Sequence, residues 1–306
     1  MQQEPTYKFM SATGTLPYTM TNDYMFRIVI QRDQETLINL ICSILHLSRE
    51  EVKSVHIENP ITPGEAIDDK EYQLDILVTL NDNTYINLEM QVENYNNWSM
   101  RSLAYLARKF DNLSRGADYS EIKPVYHIGF LDYTLFENHP EFFARYQVRN
   151  AVDNYLYTDK FNLFVIELRH IELATEADKQ YGIDIWARLF KAKTWEEIKM
   201  ITKDNPSMNS TAETIFMSNS DENIRELCRR REDAIAHEQY QKNKIQSLTA
   251  ENSELKDENA ELKGENTELK DENSGLKDEN SELKDENSEL KAEVERLKSL
   301  LNQNNQ

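Results

Sequence analysis

Between Tyr72 and Val92 hydrophobic and polar residues alternate in two runs, interrupted once by Asn81, Asp82 and Asn83. Leu74, Ile76, Val78 and Leu80 alternate with Gln73, Asp75, Leu77 and Thr79. Ile86, Leu88, Met90 and Val92 alternate with Tyr85, Asn87, Glu89 and Gln91. Period two on both sides of a polar turn predicts a β-hairpin. With residues 81–83 as the loop, Leu80 faces Thr84 and Asp75 falls opposite Glu89. A slip of one residue would set Ile76 against Glu89 and spoil both apolar faces.

The rest of the chain up to residue 240 reads as helices and a few strands. Thr21-Asn22-Asp23 offers an N-cap to a helix running to Leu45, with Phe26, Val29, Ile30, Leu37, Leu40, Ile41 and Leu45 inward. Val52 to Glu58 is a short strand, and Pro60, Pro63 and Gly64 break the chain before the charged loop Asp68-Asp69-Lys70-Glu71. Trp98 to Leu113 is a helix with Leu103, Leu106, Ala107 and Phe110 on one face and Arg101, Tyr105 and Arg108 near another. Pro124 to Leu131 and Phe161 to Leu168 are strands, and His127, inside the first, reads as a core or edge histidine. From Asp178 the period is helical, with Ile183, Ile185, Trp186, Leu189 and Phe190 in one stripe and Trp195, Ile198 and Ile201 in another.

Beyond residue 240 the pattern changes to a strict heptad. Leu248, Leu255, Leu262, Leu269, Leu276, Leu283, Leu290 and Leu297 recur every seven residues, with Asn252, Asn259, Asn266, Asn273, Asn280 and Asn287 at the a positions. Leu at d, Asn at a and Glu–Lys pairing between g and e predict a parallel two-stranded coiled coil. Six polar a positions and near-identical heptads predict a weak, register-tolerant homodimer.

Composition narrows the picture. The chain of 306 residues has a net charge of −20. Residues 241–306 hold 17 acids and 10 bases, so −13 remains on residues 1–240. A nucleic-acid partner must then be met by local basic clusters such as Arg101, Arg108, Lys109 and Arg115, or Arg229, Arg230 and Arg231. Cys42 and Cys228 form neither a disulfide framework nor a zinc motif, and both are expected reduced and buried. No apolar run is long enough to span a bilayer, so a soluble cytoplasmic protein with no membrane partner is expected.

The chemistry centres on the hairpin. Directly opposed Cβ atoms lie about 4.5–5.5 Å apart, and like charges there destabilise the pair. A divalent cation between Asp75 and Glu89 removes that penalty, and Gln91 stands one pleat on. Two carboxylates with a polar third group suit magnesium, which takes oxygen ligands and leaves positions for water and a phosphate. Two solvated charges on an exposed hairpin face account for the spacing equally well.

Asp75, followed 14 residues later by Glu89-Met90-Gln91, resembles the D…ExK core of the PD-(D/E)XK nucleases, with Gln in the Lys place. More narrowly, LPYTMTNDYMFR, KEYQLDILV, NLEMQV and RSLAYLARKF resemble the Rpn family of recombination-promoting nucleases and transposases, over residues 14–240. The resemblance implies an α/β restriction-endonuclease-like core, a mixed sheet flanked by helices, cutting DNA with Mg2+ or Mn2+. It places Asp75, Glu89 and Gln91 at the catalytic positions, with Asp75 and Glu89 on the metal. Arg101 is a candidate phosphate ligand, balanced against a surface salt bridge. Asp23 is either an additional acid of the metal site or a helix cap.

The domains expected are a disordered 1–15, a nuclease-like 16–175, a small helical subdomain 176–240 and a coiled coil 241–306. The function expected is metal-dependent DNA endonuclease, in recombination, transposition or defence against foreign DNA. The alternatives are a degenerate nuclease fold that binds DNA or protein, and a coiled-coil scaffold.

Overall fold

The structure is a computed structural model that describes residues 7–60 and 76–304. Asp75, Pro63, Gly64 and the acidic run at 68–71 lie outside the described residues. The chain divides into two compact units, Met1–Ile235 and Ala236–Gln306.

The first unit begins with a short 3₁₀ turn, Lys8–Ser11, whose Phe9 is fully buried. Phe9 N–H donates to Glu213 Oε2 (3.1 Å), Leu16 N–H to Lys193 O (2.8 Å) and Tyr18 N–H to Asn219 Oδ1 (2.9 Å). The disorder expected for residues 1–15 is therefore corrected over 7–15. An apolar side chain and satisfied backbone groups tie this segment down.

Helix α1 (Asp23–Arg32) starts at Asn22, whose side chain accepts from Met25 N–H. The single helix expected to Leu45 is broken at Asp33. The Asp33 carboxylate accepts from the N–H groups of Glu35 and Thr36 and the hydroxyls of Thr36 and Ser210. It thereby caps α2 (Gln34–Leu45). Asp gains more as a cap than inside a helix, where its side chain competes with the backbone.

Strand β1 (Val55–Ile57) is followed by the hairpin β2 (Ile76–Leu80) and β3 (Thr84–Gln91). The observed register runs from Leu80↔Thr84 to Ile76↔Leu88, as the alternation requires. Asn81 and Asp82 turn the hairpin with positive φ, a region that Asn and Asp tolerate better than most residues. Helix α3 (Trp98–Phe110) connects β3 to the parallel strand β4 (Val125–Leu131). Strands β5 (Phe143–Gln147) and β6 (Phe161–Glu167) complete a six-stranded mixed sheet of order β1-β2-β3-β4-β6-β5. The central pairs β3–β4 and β4–β6 are parallel.

The remaining helices are α4 (Glu176–Gln180), α5 (Ile183–Lys191), α6 (Trp195–Asp204), α7 (Asn209–Ser220) and α8 (Glu222–Asn304). Residues of α1, α2, α5, α6, α7 and the start of α8 share one hydrophobic cluster with Ile76, Val78, Ile86, Leu88, Ile128, Phe130, Phe164 and Ile166. The segment expected as a separate helical subdomain thus contributes to the main core. The opposite sheet face meets α3. There Trp98 packs with Leu131, Tyr133, Ala144 and Val165, and Leu106 packs with Val125 and Leu163.

The face that α3 buries differs from the one its apolar residues predict. Trp98, Ser102 and Leu106 are buried, whereas Leu103 and Ala107 are exposed. Gly129 explains the rotation. A Cβ there would collide with the Trp98 ring, so only glycine admits the indole against β4. Strand β5 has no counterpart in the sequence pattern. It is an edge strand with few buried residues, and its mixed pattern FARYQ carries little period-two signal.

In the second unit the helix α8 continues, and the heptad leucines lie exposed along it, Leu248 at 49 % and Leu269 at 63 %. Among the described residues, no helix is long and apolar enough to cross a membrane.

Candidate active site

The α3-facing side of the sheet is polar where the core-facing side is not. Asn87, Glu89 and Gln91 alternate on β3 with Ile86, Leu88 and Met90. Glu89 and Gln91 are both buried. Their parallel partners on β4 are Gly129 and Leu131, and the partner of Asn87 is His127.

Arg101, in the first turn of α3, reaches back onto β3. Its Nη2 donates to Glu89 Oε1 and to Gln91 Oε1. The guanidinium also lies 5.6 Å from the Trp98 ring centroid. Gln91 is oriented from its other end, since its Nε2 donates to Glu93 O (2.8 Å). The amide oxygen therefore faces Glu89 and Arg101, which makes Gln91 an acceptor in the site.

His127 is 1 % exposed and stands between Asn87 and Glu89. Asn87 Nδ2 lies 3.1 Å from His127 Nδ1. An amide nitrogen only donates, so Nδ1 accepts, and the hydrogen of the neutral ring sits on Nε2. That nitrogen lies 3.4 Å from Glu89 Oε2. Neither Nε2 nor Oε2 has a hydrogen bond among the described residues. The rings of Trp98 and Tyr105 flank the imidazole, at 5.4 and 6.2 Å between centroids.

Two further groups sit at the same end of the parallel strands. Tyr133 is buried, and burial pushes its phenol above the usual range; Arg101 opposes this, while Glu89 and Glu167 add to it. Glu167 ends β6, in register with Leu131 and, through it, with Gln91. Burial raises its carboxyl pKa, against a Leu135 backbone hydrogen bond and His170 at 3.7 Å. An acid closing the apolar run FNLFVIE is the sequence signal that could have pointed to Glu167.

The expected residues come together unequally. Glu89, Gln91 and Arg101 are in contact. Asp75 lies outside the described residues. Asp23 is neither the cap of α1, which is Asn22, nor unpartnered: it pairs with Arg231 at 2.7 Å. Burial raises the Asp23 carboxyl pKa and the Arg231 hydrogen bond opposes it. Of the basic clusters, Arg229 and Arg230 are taken up by Glu226 and, for Arg229, Asp233. Cys228 is buried but Cys42 only partly so.

The donors present fit a hard divalent cation in type. Glu89 offers a buried carboxylate oxygen without a hydrogen bond, and Gln91 offers an amide oxygen on the same strand face. Among the described residues no group of three His, Cys, Asp or Glu side chains is placed to hold a metal.

A mixed sheet with a parallel centre, flanked by helices and followed by a long C-terminal helix, is an α/β architecture that fits a PD-(D/E)XK fold. The chain belongs to the PD-(D/E)XK nuclease family transposases, whose family pattern matches residues 20–247. That membership supports a function of nuclease or transposase type. No curated protein and no solved structure matches the chain.

Proposed function

We propose that the protein is a metal-dependent DNA endonuclease whose site is Asp75, Glu89, Gln91 and Arg101. The observation that supports this most is the gathering of the Glu89 and Gln91 oxygens beneath one cation from α3. Asp75 and Glu89 would hold Mg2+ or Mn2+. The described ladder ends at Ile76↔Leu88, and one further step in that register would set Asp75 opposite Glu89. The chemistry supplied by a bound divalent ion is a more acidic water and neutralised phosphoryl charge.

The protein's own side chains do the rest. Gln91 accepts a hydrogen bond from the attacking water and orients it. Arg101 brings the positive charge that a Lys in place of Gln91 would bring, and guanidinium suits a phosphate oxygen pair. Its present contact balances the charge of Glu89 at Oε1. His127 positions Glu89 by proximity, its Nε2 lying 3.4 Å from the second carboxylate oxygen. Asp23, paired to Arg231, serves the packing of α1 on the start of α8 in this reading.

The tail would pair two copies in parallel through the leucine stripe of residues 241–306. Two sites then become available for the two strands of a duplex, in recombination, transposition or defence against foreign DNA. Sedimentation of the full chain as a monomer at working concentration would remove the dimer from the proposal.

Plasmid cleavage tests the activity, with magnesium, manganese, calcium and EDTA compared and Asp75→Ala and Glu89→Ala run alongside. Metal-dependent cutting lost in both variants is expected. No cutting with any metal would favour a nuclease fold retained for binding DNA or protein. Cutting that survives both substitutions would mean the site lies elsewhere.

A further inference from the structure

We propose that the C-terminal half of α3 is a second phosphate-binding site, for DNA backbone away from the bond that is cut. The inference rests on the nuclease reading above and extends it to how the substrate lies on the protein. Arg101, Tyr105 and Arg108 follow one another at helical spacing and share one side of α3. The first touches Glu89, the second flanks His127, and the third opens onto a cavity of about 240 Å³. Lys109, Asn87 and His127 line the same cavity.

Among the described residues neither Arg108 nor Lys109 makes an ion pair, in a chain with 55 acids and 35 bases. Lys109 Nζ is held 4.4 Å above the Tyr85 ring, and Lys123 Nζ lies 5.4 Å from the same centroid. Lys123 also donates to Asp82 O at 2.9 Å. A ring and a carbonyl thus hold these ammonium groups in place without neutralising them. The arginines at the start of α8 show the contrast, since Glu226 and Asp233 already occupy them.

Position then identifies the ligand. Seven residues separate Arg101 from Arg108, roughly 10 Å along the helix at 1.5 Å per residue. On B-DNA one strand advances about 3.4 Å of helix axis per phosphate, so roughly 10 Å of protein helix reaches past the scissile phosphate to a neighbouring one. A backbone whose scissile phosphate meets Arg101 therefore passes a later phosphate in front of Arg108 and Lys109. Such contacts give affinity and register without reading bases.

The test is binding of a fluorescein-labelled DNA duplex to the full chain in EDTA, followed by anisotropy over a series of salt concentrations. The variants are the double substitution Arg108→Gln with Lys109→Gln, and the control Arg229→Gln with Arg230→Gln. The first should bind more weakly, with the slope of log K against log salt reduced by about 2, since each neutralised phosphate contributes roughly 0.9. The control should match the wild type, and manganese binding by calorimetry should be unchanged in both. Wild-type affinity and slope in the Arg108 and Lys109 variant overturn the second site and leave the nuclease reading standing. A wild-type protein that does not bind DNA at any salt concentration in EDTA overturns the second site, and metal-dependent plasmid cleavage then decides the nuclease reading by itself.

Discussion

Strand β3 presents two faces that differ by one residue in phase. Ile86, Leu88 and Met90 enter the core beneath α1, α2 and α5, and Asn87, Glu89 and Gln91 face α3. On the first face each side chain is interchangeable in kind with another hydrophobe of its volume. On the second, single atoms decide: the Gln91 oxygen, the Nη2 of Arg101, the Nε2 of His127. Burial explains the difference. Dispersion and hydrophobic transfer are non-directional, whereas a buried polar atom needs a partner at hydrogen-bond distance. The core-facing side therefore sets stability, and the α3-facing side carries the polar cluster proposed as the site.

Substitutions on the two faces should separate these properties. Glu89→Ala should reduce plasmid cleavage to background while the far-UV circular dichroism spectrum is kept. Leu88→Ala, the neighbouring residue on the other face, should cost about 2–5 kcal/mol in urea unfolding. Its cleavage rate per folded molecule should be retained; a stable variant that has lost cutting would break the division. His127→Leu should weaken manganese binding about 10–100-fold, the usual effect of removing a group that orients a ligand. His127→Gln, which restores an N–H donor, should recover part of that loss, and equal affinity in all three proteins would end the positioning role.

The smallest effect belongs to the helices that close the apolar side. Asp33→Ala should cost about 0.5–2 kcal/mol, as for other helix caps. Burial works against the Asp33 carboxylate, but hydrogen bonds from Ser210 and Thr36 outweigh it and hold its pKa below the ordinary 3.8. A depressed folded pKa means a contribution that is complete above 3.8 and lost as pH falls through the lower folded value. The stability gap between wild type and Asp33→Ala should accordingly narrow in acid. A gap independent of pH would show that the loss lies in packing.

The hairpin register, the strands β4 and β6 and the helical period after residue 178 are all legible in the sequence. Each rests on local alternation or spacing, which neighbouring residues alone can express. Asn22 can be read as a cap only together with Thr21 and Asp23, because all three residue types fit the position. Asp33 is hidden inside a helical pattern, since one of its partners, Ser210, lies 177 residues away. Strand β5 is hidden because an edge strand buries too little to leave an alternating pattern.

The site shows the same division. Glu89 and Gln91 are evident on one face of one strand. The charge that sits over them is not, because it depends on which way α3 is rolled. Leu103 and Ala107 predict one roll, and the contact between Trp98 and Gly129 enforces another. His127 carries no spacing signal, and only the parallel pairing of β3 with β4 sets it beside Glu89. Periodicity along the chain is enough to set every strand but β5, the hairpin register and the heptad stripe of the tail, because each is expressed between near neighbours. Which cation meets Glu89, and which basic residues stay unpaired, is settled only by helix rotation and strand order, because these bring together residues distant in sequence.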